Sequence, residues 1–176
     1  MRIISGSYRS RRLRSPTGLA NRPTLDRVKE AVFNHLGNIS DKCFLDLFCA
    51  AGNIGIEALS RGCTKVIFND IDPLAIRVLR SNLESLKVSS QLYEIFAKDF
   101  VEFLSVPGQA CDFIYLDPPY DSDHYGEALR LIKKYHWLKP DGEIIAESKK
   151  DQQLAELGFR LLKTVNYGQI KITYLG

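Results

Sequence analysis

The run Cys43-Phe44-Leu45-Asp46-Leu47-Phe48-Cys49-Ala50-Ala51-Gly52-Asn53-Ile54-Gly55 decides how this chain folds. Cys43 to Phe48 is an apolar run of strand length, interrupted only by Asp46. The small residues that follow let the backbone turn sharply, and residues 53–61 then read as a helix that stops at Gly62. A strand that opens into a helix through a small-residue loop begins a β-α-β unit. In open α/β folds, ligands bind at such loops, beyond the carboxyl ends of the strands.

The alternation continues outward from this run. Lys65-Val66-Ile67-Phe68 reads as a second strand. Pro73 starts a helix reaching about Leu86, with Leu74, Val78, Leu79 and Leu83 on one face. Gln91 to Phe96 is a third strand, followed by a short helix at Phe100–Leu104. Asp112–Leu116 is a fourth strand, residues 123–136 are helical, and Gly142–Glu147 is a fifth strand. Such alternation predicts a parallel sheet with helices on both faces. The end differs: Phe159–Val165 and Gln169–Tyr174 flank Asn166-Tyr167-Gly168 and read as two antiparallel strands that close the sheet. At the start, residues 2–14 suggest a small β-hairpin and Ser15-Pro16-Thr17-Gly18 a turn. Thr24 is placed to cap a helix with Val28, Val32, Phe33 and Leu36 on its apolar face, stopped at Gly37-Asn38. The expected organisation is a basic hairpin-and-helix extension over 1–37 and an α/β domain over 38–176.

The chain has 176 residues, 45% of them hydrophobic and 26% charged, which suits one globular domain. No apolar run approaches the roughly 20 residues of a membrane helix, and the first residues lack the pattern of a secretory signal. The cytoplasm is therefore the expected address. Cys43, Cys49, Cys63 and Cys111 show no Cys-x-x-Cys spacing. Cys43, Cys49 and Cys111 lie in apolar runs and read as buried thiols, so neither a metal site nor a disulfide framework is expected. His35, His124 and His136 lack metal-type spacing and read as surface or helix residues. Net charge is only +3, but the first thirty residues hold eight bases (Arg2, Arg9, Arg11, Arg12, Arg14, Arg22, Arg27, Lys29) against two acids, Asp26 and Glu30. That segment is +6 and the remainder −3. A basic arm on a mildly acidic body suits an anionic partner such as nucleic acid, although a merely solvated basic terminus explains the charge equally well.

Acids end successive strands. Asp70 follows the second strand, close to twenty residues beyond the small-residue loop, where a carboxylate can accept bonds from ribose hydroxyls. Asp99 follows the third and either accepts from an adenine amino group or simply caps the helix at Phe100. The fourth strand ends in Leu116-Asp117-Pro118-Pro119-Tyr120. The two prolines stiffen the backbone and remove two N–H donors, so this edge presents acceptors: the Asp117 carboxylate and the Pro118 carbonyl. Acceptors suit an –NH2 group. Holding both its hydrogens draws the nitrogen lone pair out of conjugation and aims it at an electrophilic carbon. Tyr120 offers a face on which a base can stack. A rigid turn alone would account for the prolines but not for the acid and the aromatic beside them.

These residues resemble the class I, Rossmann-like methyltransferases. The run from Asp46-Leu47-Phe48 through Gly52 and Gly55 to Glu57-Ala58-Leu59-Ser60-Arg61-Gly62 resembles more specifically the RsmD family, bacterial methyltransferases of a guanine N2 in 16S ribosomal RNA. Arg2-Ile3-Ile4-Ser5-Gly6, Arg22-Pro23-Thr24, Arg27-x-x-x-Ala31-x-Phe33-Asn34 and Tyr167-Gly168 extend the likeness over nearly the whole chain. The departures are Ala50 and Ala51, where the family usually has Gly-Ser. Alanine fits there provided the backbone keeps φ < 0.

The resemblance implies a seven-stranded, mostly parallel sheet with its last strand antiparallel. It implies S-adenosylmethionine as methyl donor, without metal. It places the loop from Asp46 through Phe48, Cys49 and Ala50 to Gly52 beside the methionine part of that cofactor, Asp70 on the ribose, and Asp99 with Phe100 at the adenine. Asp117, Pro118, Pro119 and Tyr120 would hold the target amine, and Arg9, Arg11, Arg12, Arg14 and Arg22 would grip RNA phosphates. The expected partner is 16S ribosomal RNA within a small-subunit particle, met by a monomer.

The chemistry expected is direct in-line methyl transfer, in which positioning and desolvation supply most of the rate. Asp117, with an ordinary pKa of about 4, is expected to steady charge on nitrogen rather than act as a base. Related Asp/Asn-Pro-Pro-Tyr motifs also serve enzymes of adenine N6 and of glutamine amides, which stay as alternatives, as does a catalytically silent RNA-binding protein of the same fold. A nicotinamide-dependent oxidoreductase shares the loop and the ribose acid but would need a hydride-transfer site, which nothing here resembles.

Overall fold

A computed structural model describes residues 1–15, 26–119, 123–152 and 157–176. The turn residues Pro16-Thr17-Gly18, the segment Arg22-Pro23-Thr24 and Tyr120 lie outside the described residues. The elements run in the order α1 (Asp26–Leu36), β1 (Cys43–Asp46), α2 (Asn53–Ser60), β2 (Lys65–Asn69), α3 (Pro73–Ser85), β3 (Tyr93–Phe96), α4 (Phe100–Leu104), β4 (Cys111–Leu116), α5 (His124–Lys134), β5 (Leu138–Lys149), β6 (Leu161–Tyr167) and β7 (Ile170–Leu175).

One seven-stranded sheet holds the strands in the order β3-β2-β1-β4-β5-β7-β6. β1 to β5 are parallel. β7 runs antiparallel between β5 and β6. The expected α/β fold, mostly parallel with its last strand antiparallel, is the one observed. β5 is longer than its apolar stretch, because the segment from Leu138 already pairs at Cys111 before a shift in register brings Phe113 opposite Glu143.

The two sheet faces bury different side chains. One carries Phe44, Phe68, Phe113, Tyr115 and Ile145 under α1, α2 and α3. The other carries Leu45, Ile114, Leu116 and Ile144 under α4 and α5. Alternation along each strand sends neighbouring residues to opposite layers, so strands buried on both faces read as continuous apolar runs. In α3 the buried face is Ala75, Ile76, Leu79, Asn82 and Leu83, whereas Leu74 is exposed. Leu74 stands in the first turn, just after the Asp72 cap, whose side chain accepts its N–H.

Residues 1–14 form the expected hairpin, bridged at Arg2 and Arg12. Ile3 and Leu13 join the main core. The Ile4 and Ser5 amides donate to the Glu57 carboxylate at 2.8 and 3.0 Å, and the Ser7 amide donates to the Ser60 carbonyl. Lys29 of α1 is fully buried and bonds the Arg2 carbonyl (2.6 Å) and Asn53 Oδ1 (2.8 Å), with Glu57 at 3.4 Å. Asn82 of α3 exchanges two hydrogen bonds with the Arg14 backbone and donates to the Ala51 carbonyl. Lys29 thus ties the hairpin to the start of α2, and Asn82 ties it to the loop that leads from β1 into α2.

Candidate active site

Strand order reverses between β1 and β4: the chain moves outward to β2 and β3, then returns to the other side of β1. The carboxyl ends of β1 and β4 therefore diverge into a crevice, the place where α/β sheets bind ligands. Asp46 ends β1, Asp70 follows β2, Asp99 follows β3 and Asp117 follows β4.

The loop after β1 is tied down by backbone bonds. The Cys49 amide donates to the Asn69 carbonyl, the Gly52 amide to the Cys49 carbonyl at 2.7 Å, and the Ala50 amide to Asp70 Oδ2 at 2.7 Å. With these tethers in place Ala50 sits at φ +45°, so the condition under which alanine was expected to fit, φ < 0, is not met. Alanine occupies a left-handed position that glycine would adopt without strain. Gly52, at φ +81°, precedes α2, and a Cβ there would fall 2.4 Å from Leu79 Cδ1. Asp46 Oδ2 accepts the Gly55 amide at 2.8 Å and fixes the first turn of α2 against the strand end.

Asp70 also accepts the Asp72 amide on Oδ1 at 2.9 Å. With a third backbone bond, from Ile71, the carboxylate keeps about one lone-pair site for a further donor. Asp99 is exposed and caps α4, accepting the Val101 amide at 2.8 Å; its capping role, foreseen as the simpler reading, is realised. Phe48, Phe100 and His124 form an aromatic group with ring centroids 4.9–6.2 Å apart. His124 opens α5, and its Nδ1 is buried without a hydrogen-bond partner among the described residues.

The electrostatics of this edge are distinctive. Burial pushes the Asp46 carboxyl up to about 7, with Asp70 adding to the shift and the Gly55 bond opposing it. Burial also raises Asp70, against three backbone bonds that lower it. The Asp117 carboxyl is held well above the usual carboxylate range by burial first, then by Glu147 and Asp46. The ordinary acidity expected of Asp117 is therefore corrected, because sequence spacing does not reveal that its carboxyl is enclosed beside two other acids. Among the described residues, none of Asp46, Asp70 and Asp117 is paired with a lysine, arginine or histidine. A crevice with unneutralised, partly dehydrated carboxyls suits a cationic ligand. S-adenosylmethionine, with its sulfonium and ammonium groups, has that charge, and the residues present fit it.

Glu147 was not singled out from the sequence. It lies near the end of β5, is 2% exposed, and receives the Tyr115 hydroxyl on Oε2 at 2.5 Å. An acid closing the apolar run Ile144-Ile145-Ala146 was the available signal, the same one that marks Asp46 and Asp117. The arginines predicted for RNA lie on the hairpin: Arg9, Arg11, Arg12 and Arg14 are all exposed. Arg11 donates to the Ser85 carbonyl and Arg14 to Ser81 Oγ, both on α3. All four cysteines are free and buried, with Cys43 and Cys111 sulfurs 3.0 Å apart at the opposite end of the strands.

Comparison with known proteins follows from this geometry. A family model described as "Conserved hypothetical protein 95" matches residues 1–176. The Haemophilus influenzae protein named "Ribosomal RNA small subunit methyltransferase D" is 38% identical over 157 residues, covering 88% of this chain and 81% of its own. The Escherichia coli K12 protein of the same name is 32% identical over 155 residues, covering 88% and 77%. Among solved structures, an Escherichia coli protein provisionally described as a methyltransferase superposes with a TM-score of 0.88 at 31% identity, covering 99% of this chain and 96% of its own.

Proposed function

The chain belongs to the RsmD family, and from that premise we propose that it transfers a methyl group from S-adenosylmethionine to the exocyclic N2 amine of a guanine in 16S ribosomal RNA. The observation that carries the reading is the position of Asp117-Pro118 at the carboxyl end of β4, beside the loop after β1 at the point where strand order reverses. Acceptors without competing N–H donors stand there, next to a crevice suited to a cation.

When bound, S-adenosylmethionine supplies an activated methyl carbon, so no covalent enzyme intermediate is required. Asp46 and the tethered 49–52 loop bound the methionine part of the site. Asp70 offers its remaining lone-pair site to a ribose hydroxyl, and Phe100, with Asp99 beside it, borders the adenine. Asp117 and the Pro118 carbonyl accept the two amine hydrogens and orient the nitrogen lone pair towards the methyl carbon. The guanine must be unpaired or flipped to reach them. Residues 1–37 serve as an RNA-contacting extension in which Arg9, Arg11, Arg12 and Arg14 contribute affinity through phosphates more than sequence choice. The protein acts as a cytoplasmic monomer on an assembling small-subunit particle, whose shape adds to recognition.

The test uses small-subunit particles that lack the modification, tritiated S-adenosylmethionine, and mass spectrometry of the digested nucleosides. N2-methylguanosine is expected. Asp117→Asn is expected to slow transfer by about a hundredfold or more, the scale of losing a key group aimed at developing charge, while cofactor affinity measured by calorimetry stays within a few-fold. Label appearing in adenine or in protein would overturn the reading.

A further inference from the structure

Methylating an amine leaves one proton too many on nitrogen. As the N–C bond forms, the C–S electron pair stays on sulfur, and an N–H bond must then break with its pair returning to nitrogen. Some group has to take that proton. Asp117 touches the amine in the proposed function, on which this inference rests, but a carboxylate of ordinary acidity is a weak acceptor.

β4 and β5 are parallel and in register, with Tyr115 opposite Ile145 and Leu116 opposite Ala146. The next step in that register sets Asp117 beside Glu147, roughly one strand spacing of about 4.8 Å away in backbone. The Tyr115 hydroxyl bonds Glu147 Oε2, so Glu147 lies on the sheet face of Tyr115, and Asp117 follows Tyr115 by two residues. The hydroxyl of Tyr125, from α5, donates to the Glu147 carbonyl and pins its backbone. Among the described residues, the other titratable groups that face this edge include Asp46 of β1 and, further along β5, the exposed Lys149; β7 sets Ile172 opposite Glu147 and Lys171 opposite Ser148. Two acids side by side, Glu147 buried and Asp117 half-buried, raise each other's hold on a proton, because the second negative charge is costly in a place poor in water.

We propose that Glu147 is a positioning residue that acts through Asp117: a second carboxyl, clamped by Tyr115, that makes Asp117 the acceptor of the proton shed by the methylated amine. The proton moves from nitrogen to an Asp117 oxygen and leaves to solvent with product release. The electrostatics agree in direction, since Glu147 is the largest charged contributor to the raised Asp117.

The test has two readouts. In the protein without substrate, carbon-13 NMR follows titration of the Asp117 carboxyl. In single-turnover transfer to unmodified small-subunit particles, the rate is followed from pH 5 to 9. Glu147→Gln is expected to move both the carboxyl titration and the acid limb of the rate profile to lower pH by about one unit or more, and to reduce the plateau rate. Tyr115→Phe, which keeps the Glu147 carboxyl and removes the hydroxyl that clamps it, is expected to move both in the same direction by less. This second variant keeps the test decisive should Glu147→Gln fold poorly. Glu147→Asp is expected to restore part of the shift. A merely structural Glu147 would lower the rate evenly and leave the limb in place, and an unmoved limb with an unmoved carboxyl titration overturns the inference. If the wild-type protein transfers no methyl group, the proposed function itself fails and the proton-acceptor role falls with it.

Discussion

Replacing Asp46 by asparagine should stabilise this protein at neutral pH and weaken its cofactor site. Asp46 is 2% exposed, and its Oδ2 accepts the Gly55 amide. Burial raises the folded carboxyl to about 7, against about 3.9 in an unfolded chain. The folded state therefore holds this proton more tightly than the unfolded state. The contribution of Asp46 to stability is greatest below pH 4, falls as pH rises from about 4 to about 7, and stays reduced above that. The full displacement is worth about 4 kcal/mol. Asparagine cannot ionise and keeps an oxygen for the Gly55 amide, but it buries an –NH2 group that needs a partner, at a cost of about 1–3 kcal/mol. Asp46→Asn should thus gain about 1–3 kcal/mol at pH 8, and the gain should vanish or reverse near pH 4. Urea unfolding followed by circular dichroism across that range measures both ends. Asp70 and Asp117 also have raised carboxyls, but they are present in both proteins and largely cancel in the difference. Calorimetry at pH 8 should show weaker S-adenosylmethionine binding by the same variant. A stability difference that does not change with pH, or a loss at pH 8, would refute the reasoning.

Two further substitutions test the framework around the loop. Ala50→Gly relieves a left-handed alanine, worth about 1–2 kcal/mol, against about 0.5–1 kcal/mol of extra chain entropy; a net gain of about 0.5–1 kcal/mol in urea unfolding is expected, and destabilisation would contradict the strain argued here. Lys29→Met leaves Glu57 with Arg61 at 2.8 Å and two backbone amides, but strips the Arg2 carbonyl and Asn53 of their donor. A loss of about 3 kcal/mol, or about 6–12 °C in Tm, is expected by calorimetry, and a loss below about 1 kcal/mol would show the buried ammonium to be dispensable.

Most of the sheet was legible because strands buried on both faces are apolar throughout and helices between them repeat at their own period. The antiparallel end was legible from Tyr167-Gly168 between two β-branched runs. What the sequence hid depends on distances between elements. Lys29 sits among the residues of an amphipathic helix and looks like a solvated base until the hairpin and α2 close over it. The positive φ of Ala50 comes from a bond to Asp70, twenty residues away. Glu147 looks like the polar end of a strand; only the register of β5 on β4 brings it next to Asp117. The chemistry of Asp117 was visible as a motif, whereas its proton affinity arises from burial first and then from acids on β1 and β5, none of which local spacing reveals.

The double attachment of Lys29 and Asn82 has a practical consequence for anyone handling this protein. Removing the first fourteen residues would not simply subtract positive charge. It would take away the Arg2 carbonyl and the Arg14 backbone that hold one side of both side chains, leaving a buried ammonium at the start of α2 and a buried amide beside the loop after β1 short of partners. A shortened protein that has lost methyl transfer would therefore say little about RNA affinity. Charge-reversing substitutions at Arg9 and Arg12, which are exposed at the surface, separate grip from scaffold where a deletion merges them.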